Sequence, residues 1–284
     1  MATFFNQATL TYNGIVANSN ITTGELVEVI SAAKTAAPST YESNEAITYV
    51  VNIQNSGATP ITGLTVSDDL GAYTFGAVTL VPLTYVDNSL LYYVNGVLQA
   101  TPAVVAGPPL TVTGINVPAG GNAILVYQAL PNDFAPRAVD GTIVNTATIS
   151  GGGISTPVTA TETVTANAAP LLTITKGLSP TTVVENGTLT YTFTIQNLGN
   201  TAAVATDNIV LSDTLNPVLD PITVTYNGTI WTLGTEYTYD TTTGVFQTVA
   251  GQITVPAATY TQDPVTGAWT VIPGTAVLTL TGTV

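Results

Sequence analysis

The sequence has no cysteine and no histidine, and its only basic side chains are two lysines and one arginine. Without cysteine there is no disulfide staple and no thiol nucleophile, and without histidine the commonest general acid and base is missing. Lys+Arg of 3 against Asp+Glu of 17 leaves a formal charge of −14, which repels phosphate backbones and anionic head groups. Neither nucleic acid nor a membrane is therefore expected as a partner. No run approaches the about 18 apolar residues of a membrane helix, and Met1-Ala2-Thr3-Phe4-Phe5-Asn6-Gln7 lacks the basic start and apolar stretch of a secretory signal. Either the numbering begins at an added Met, or the protein leaves its cell by another route. There is no glycine-rich phosphate loop and no metal-ligand spacing, so no cofactor and no enzyme acting on an external substrate are expected.

What is present favours strands. Thr, Val, Ile and Tyr are plentiful, and 25 Gly with 17 Pro supply frequent turns. Alternation with period two runs through Ala46 to Gln54, Gly63 to Leu70, Asn122 to Gln128, Ile143 to Ser150, Leu189 to Gln196 and Ala276 to Thr281. Turn signals such as Asn55-Ser56-Gly57, Asn95-Gly96, Asn186-Gly187 and Asn227-Gly228 separate them. The pattern predicts an all-β chain of two tandem immunoglobulin-like antiparallel sandwiches with almost no helix. The expected boundaries are an N-terminal strand, hairpin and linker over 1–24, a first repeat over 25–167 and a second over 168–284. The unpatterned Thr165-Ala166-Asn167-Ala168-Ala169-Pro170 lies at the junction.

The two lysines expose a duplication, because Lys34 and Lys176 lie 142 positions apart (176 − 34). Superposing them brings Ile47-Thr48-Tyr49-Val50-Val51-Asn52-Ile53-Gln54-Asn55 onto Leu189-Thr190-Tyr191-Thr192-Phe193-Thr194-Ile195-Gln196-Asn197 without a gap. Further on, Leu64-Thr65-Val66-Ser67-Asp68-Asp69-Leu70 matches Ile209-Val210-Leu211-Ser212-Asp213-Thr214-Leu215, and Ala123-Ile124-Leu125-Val126 matches Ala276-Val277-Leu278-Thr279. Then the copies part. The first continues into a hairpin from Gly141 to Ile154 that contains Asn145-Thr146-Ala147-Thr148-Ile149, whereas the second reaches Val284 without one.

A segment of that type stands at the other end of the chain. Asn6-Gln7-Ala8-Thr9-Leu10-Thr11-Tyr12-Asn13-Gly14-Ile15 resembles Asn145 to Ile154 in residue type at most positions. The second repeat is thus expected to lack its closing strand, and the N-terminus to be a closing strand with no domain before it. An uncovered sheet edge is a template for strand addition. Reaching it within one molecule requires passing the whole first domain, whereas the ten or so residues from Val16 to Glu25 extend only roughly 33 Å. Donation to another copy, with Phe4, Asn6, Ala8 and Leu10 facing inward, has no such limit. Repeated head to tail it builds a homopolymer. A frayed N-terminal tail is the bland alternative.

Period-two positions also align three polar residues with apolar faces in each repeat. Lys34 falls in register with Ile30 and Ala32, Asp68 with Leu64 and Val66, and Asn145 with Ile143 and Ala147. The second repeat repeats this with Lys176 and Asp213, and Asn6 of a neighbour supplies the third residue if the strand is donated. Burial drives Lys toward the neutral amine and Asp toward the protonated acid. A neutral amine set against an Asn amide, with Asp to carry protons, has the parts for a Lys-Asn isopeptide formed by loss of ammonia. Two other readings stay open: a buried polar cluster without a bond, and exposed charges that discourage wrong edge pairing.

These motifs resemble a family, the conserved-repeat domain of unknown function found in surface proteins of Gram-positive bacteria. The likeness rests on a strand ending in Lys, then Leu189 to Asn200, then Val210-Leu211-Ser212-Asp213-Thr214-Leu215, and a closing strand like Asn145 to Ile149. The resemblance implies an immunoglobulin-like, non-enzymatic structural role at the extracellular surface, and folds of this kind in pilins and adhesins carry Lys-Asn isopeptides. A pair of repeats with no visible signal peptide looks most like a fibre subunit of clostridial spore appendages. Other appendage proteins are then further candidate partners, and the spore surface the location.

Competing functions leave fainter marks. Asp68-Asp69 is a pair that could hold calcium, but no EF-hand spacing surrounds it. Asn20-Ile21-Thr22, Asn186-Gly187-Thr188 and Asn227-Gly228-Thr229 match the glycosylation sequon, a frequent chance match in a Thr-rich chain. A surface adhesin that recognises carbohydrate or protein is the main alternative. It would draw on Trp231, Trp269, Tyr226, Tyr237, Tyr239 and Tyr260, although such aromatics more often cap sandwich cores.

Overall fold

A computed structural model describes residues 2–284, and whether Met1 is native lies outside the described residues. Strands carry the regular structure; the one helical element among the described residues is a 3-10 turn, Ala205–Asp207. The all-β expectation holds. By internal contacts the chain divides into two compact units, Met1–Asn132 with Ile143–Val164, and Asp133–Thr142 with Thr165–Val284. The segment 133–142, which the sequence places in the first repeat, goes with the second. Its ties there include the Trp269 N–H donating to the Asp133 carbonyl at 2.8 Å and the Ala166 N–H donating to the Gly141 carbonyl at 2.8 Å.

The chain opens with β1 (Ala2–Asn6), β2 (Thr9–Tyr12), β3 (Ile15–Asn18) and β4 (Thr22–Leu26). They form one interrupted hairpin, β2 antiparallel to β3 and β1 to β4. Its tip is Asn13-Gly14, both with positive φ (47° and 77°), the backbone a tight two-residue hairpin turn requires. At Gly24 a side chain is excluded, because a Cβ would come within 2.3 Å of the Phe4 ring lying over it. Residues 3 to 23 are exposed throughout, apolar Phe4, Phe5, Leu10 and Val16 among them. The expected N-terminal strand is therefore one arm of a paired hairpin rather than a frayed tail. Among the described residues, the other edge of that arm has no strand beside it.

The first sandwich comprises β5 (Ile30–Ala37), β6 (Thr40–Tyr41), β7 (Ile47–Asn55), β8 (Ile61–Asp68), β9 (Tyr73–Phe75), β10 (Val78–Leu80), β11 (Leu83–Tyr85), β12 (Leu91–Val94), β13 (Val97–Leu98), β14 (Ala103–Val105), β15 (Leu110–Val117), β16 (Asn122–Pro131), β17 (Thr142–Gly151) and β18 (Val158–Ala166). One sheet runs β13-β12-β16-β7-β5, with β11 also on β16; the facing sheet runs β14-β15-β8-β17-β18-β6. Inward residues of both sheets, including Ile47, Val51, Ile53, Leu64, Leu125 and Ile149, fill a sealed core. Because the pleat alternates, polar residues that share these inward positions are buried with them.

The second unit contains β19 (Leu172–Ser179), β20 (Thr188–Asn197), β21 (Ser212–Thr214), β22 (Ile222–Tyr226), β23 (Thr229–Ile230), β24 (Tyr237–Tyr239), β25 (Val245–Thr248), β26 (Thr259–Gln262), β27 (Trp269–Ile272) and β28 (Gly274–Thr283). Its larger sheet is β19-β20-β28-β22-β23, its smaller one β21-β25-β24, and β26 pairs with β27. Leu189, Phe193, Leu215, Phe246, Leu278 and Leu280 build the core. The smaller sheet ends at β21. Where β8 has β15 on one side and β17 on the other, β21 has β25 alone among the described residues. It is also shorter than the Ile209 to Leu215 run suggests.

Candidate functional site

Lys34 reaches the interior because β5 alternates, burying Ile30 and Lys34 and turning their neighbours outward. From the facing sheet comes Asp68, the last residue of β8. The β17 ladder sets Ala147 opposite Asp68, so Asn145, two residues earlier, shares the inward face. The Lys34 and Asp68 side chains are 0% and 1% exposed, and Nζ lies 2.6 Å from Oδ2. The pair therefore bridges the two sheets through the core.

Two further donors hold Asp68. The Tyr127 hydroxyl donates to the same Oδ2 at 2.5 Å, and the Leu70 N–H donates to Oδ1 at 3.0 Å. Lys34 Nζ also sits 5.0 Å from the centre of the Tyr49 ring, where a cation is attracted to the π face. Burial lowers the Lys34 pKa below its ordinary 10.5; Asp68 opposes this shift without cancelling it. The amine is thus brought toward the form that attacks carbon. Asn145 is fully buried, and neither its Oδ1 nor its Nδ2 has a hydrogen-bond partner. An amide left so in a core forgoes the bonds it made in water, at about 1–3 kcal/mol per group.

In the second unit the same pairing stands open. Lys176 Nζ lies 2.5 Å from Asp213 Oδ2, but the two side chains are 41% and 19% exposed. The ammonium rests over the Tyr191 and Phe193 rings at 4.4 and 5.5 Å. Asn6, the expected third member, is held in the N-terminal hairpin opposite Thr22. Around the half-site, Ile174 and Leu178 of β19 are 55% and 42% exposed, although the corresponding Ala32 and Ala36 lie on a strand that is half sealed.

The aromatic residues considered for ligand binding are mostly spent on structure. Tyr226 and Tyr237 are buried, and the hydroxyls of Tyr226, Tyr239 and Tyr260 donate to the carbonyls of Thr254, Leu219 and Leu198. Trp231 stacks on Tyr226 with ring centroids 4.8 Å apart, and the Trp269 Nε1 is buried. Asp69 is occupied likewise, its Oδ1 accepting the backbone N–H of Gly71 and of Thr146. Sequence reasoning missed Tyr49 and Tyr127. The signal was there for Tyr49, which recurs as Tyr191 in the repeated motif. Tyr127 has no such mark, because Leu280 takes its place.

No family model matches the chain, and no curated protein matches it. Solved structures do. The major pilin subunit BcpA of Bacillus cereus is similar over 96% of this chain and 73% of its own, at 10% identity and a TM-score of 0.36. The pilus backbone RrgB of Streptococcus pneumoniae is similar over 86% of this chain at 12% identity and a TM-score of 0.35, and this chain spans 55% of it. A collagen-binding domain from a Staphylococcus aureus adhesin is covered to 99% by half of this chain, with 13% identity and a TM-score of 0.31. Likenesses at this level assign no function, which rests on the residues alone.

Proposed function

We propose that the chain is the structural subunit of an extracellular, spore-surface fibre, assembled head to tail by donation of the N-terminal hairpin to the second unit of another copy. The observation that carries this reading is the pair of vacant edges. In the first sandwich the sheet order is β14-β15-β8-β17-β18; in the second unit it stops at β24-β25-β21. The N-terminal hairpin is the counterpart of β17-β18, its first arm paired along one edge and open along the other. Placed beside β21 it restores the full order. The repeat sets the register: Asn6 corresponds to Asn145, so Ala8 lies opposite Asp213 and Leu10 opposite Leu211, as Ala147 and Ile149 lie opposite Asp68 and Val66. Phe4 and Leu10, 57% and 64% exposed, then cover the uncovered face of β19. Burial of apolar area and new backbone hydrogen bonds together drive the addition.

A covalent step reinforces each domain in this reading. Asp68 takes a proton from the Lys34 ammonium, and the neutral Nζ adds to Asn145 Cγ. Asp68 delivers that proton to the departing Nδ2 and accepts the surplus one from the new amide nitrogen. One C–N bond forms, one breaks, and ammonia leaves with the last proton as ammonium. Lys176 and Asp213 do the same to Asn6 of the next copy. The alternative, a surface adhesin, draws on Trp231 stacked on Tyr226 beside exposed Ile230 and Leu233. Negative-stain microscopy of the purified chain separates the two: fibres with a domain-scale repeat are expected, and they disappear when residues 2–15 are deleted. Fibres that survive the deletion sink the donor reading. Ladders that persist after boiling in detergent report the Lys176 to Asn6 bond, and their full collapse to monomer rules it out.

A further inference from the structure

The Lys34 site contains three buried polar atoms with nothing to bond: Oδ1 and Nδ2 of Asn145, and the hydroxyl of Tyr49. Such groups are scarce in folded proteins, and three around one reacting amide ask for a reason. Tyr49 and Tyr127 face each other directly across β7 and β16, with ring centroids 5.6 Å apart. Asn145 lies near enough to both phenols to favour their charged forms, a smaller effect than the burial that pushes both pKa values up, although no hydrogen bond of sound geometry joins it to either. The phenols therefore stay protonated and keep their donor hydrogens.

Tyr127 is the one that must move. Its hydroxyl shares Asp68 Oδ2 with Lys34 Nζ. Once the Lys34 proton passes to that oxygen, Oδ2 turns from acceptor to donor and no longer welcomes a second hydrogen. A hydroxyl rotor costs little to turn. Asn145 Oδ1 is a buried acceptor that has no partner.

We infer that Tyr49 and Tyr127 form a two-donor oxyanion site, their hydroxyls closing on Asn145 Oδ1 as the Lys34 amine adds to Cγ. This rests on the isopeptide reading above and names the groups that stabilise its tetrahedral intermediate. Negative charge gathers on Oδ1 when nitrogen adds, and donors already oriented in a dry site stabilise it strongly. The proton transfer that makes Lys34 a nucleophile is the same event that frees Tyr127, so activation of the amine and of the carbonyl are coupled. In the second unit Tyr191 stands for Tyr49, but Leu280 stands for Tyr127. That site has one donor, and its bond to a donated Asn6 forms more slowly.

The test uses full-length chain recovered unfolded and unreacted from inclusion bodies, refolded by dilution and sampled by intact mass for the loss of roughly 17 Da that expulsion of one ammonia gives. Tyr127→Phe and Tyr49→Phe each remove one oxygen and little else. Each is expected to slow the mass loss by about 10²-fold, as deletion of one oxyanion donor does elsewhere. Recovery of far-ultraviolet circular dichroism, followed in parallel, is expected at the wild-type rate. Phe variants that react at the wild-type rate overturn the inference, and so does a slowing matched by equally slow refolding. A wild-type chain that refolds and never loses the ammonia mass removes the isopeptide itself, a different failure with a different signature.

Discussion

Strands β5 and β19 begin from the same pattern and end in opposite environments. Each carries a lysine at the matching place, each hydrogen-bonds along one edge to a strand with the Thr-Tyr motif, and each lysine pairs with an aspartate from the facing sheet. In the first sandwich β17, β18 and β6 complete that facing sheet, and Lys34 is fully buried. In the second unit the facing sheet ends at β21, every residue of β19 except Leu172 is exposed, and Lys176 is partly solvated. The difference teaches that the lysine's chemistry belongs to the hairpin that covers it. Burial is what pushes a lysine toward the neutral, nucleophilic amine, and of the two only Lys34 is buried.

Breaking the comparison at the covered end gives the largest effect. Asn145→Ala removes the acceptor amide, so intact mass shows no ammonia loss. The first sandwich is expected to lose about 4–5 kcal/mol in denaturant unfolding, the contribution of a cross-link closing a loop of this size. In that background Lys34→Met leaves Asp68 buried without its cation and is expected to cost about 3–5 kcal/mol more. Lys176→Met in the monomer, where the pair is partly solvated, is expected to cost under about 1 kcal/mol. Similar losses at both lysines would erase the distinction drawn between the two sites.

The opposite manipulation covers β19. A chain lacking residues 2–15 should accept a synthetic peptide of residues 2–26 on its second unit, and a calorimetric scan should show that unit melting roughly 5 °C higher or more. No shift at saturating peptide would mean that β21 is not the vacant edge. The smallest effect is in pH. In the Asn145→Ala chain, Lys34 titrates in the fold below its ordinary 10.5, so between the two values the unfolded state holds more protons. Stability of the first sandwich then rises as pH climbs toward 10.5, by at most about 1.4 kcal/mol per pH unit. A flat or falling trend in chemical denaturation would show that Asp68 holds the lysine charged.

Much of this was legible from residue order because a strand's two faces alternate with period two. Ile47 to Asn55 and Leu189 to Asn197 declare which side chains turn inward, and the duplication aligns Lys34 with Lys176 and Asp68 with Asp213. The N-terminal likeness to Asn145 and its followers predicted a strand there, and β1 and β2 are found. The hairpin expected over 1–24 is also present, but its return arm, β3 and β4, runs on to Leu26. Nor did the segment 133–142 reveal its partners, among them Trp269, over a hundred residues onward from Asp133.

Local sequence thus determined strand positions, inward faces and the repeated Lys and Asp, since these depend on neighbours along the chain. The tertiary structure alone decided which lysine is dry, that Tyr127 and Lys34 share one carboxylate oxygen, and that Asn145 has no partner. Those facts arise where strands 34 to 111 residues apart converge across two sheets (Asp68 − Lys34, Asn145 − Lys34). Burial is a property of what covers a residue, and here strands from elsewhere in the chain cover Lys34 but leave Lys176 partly exposed.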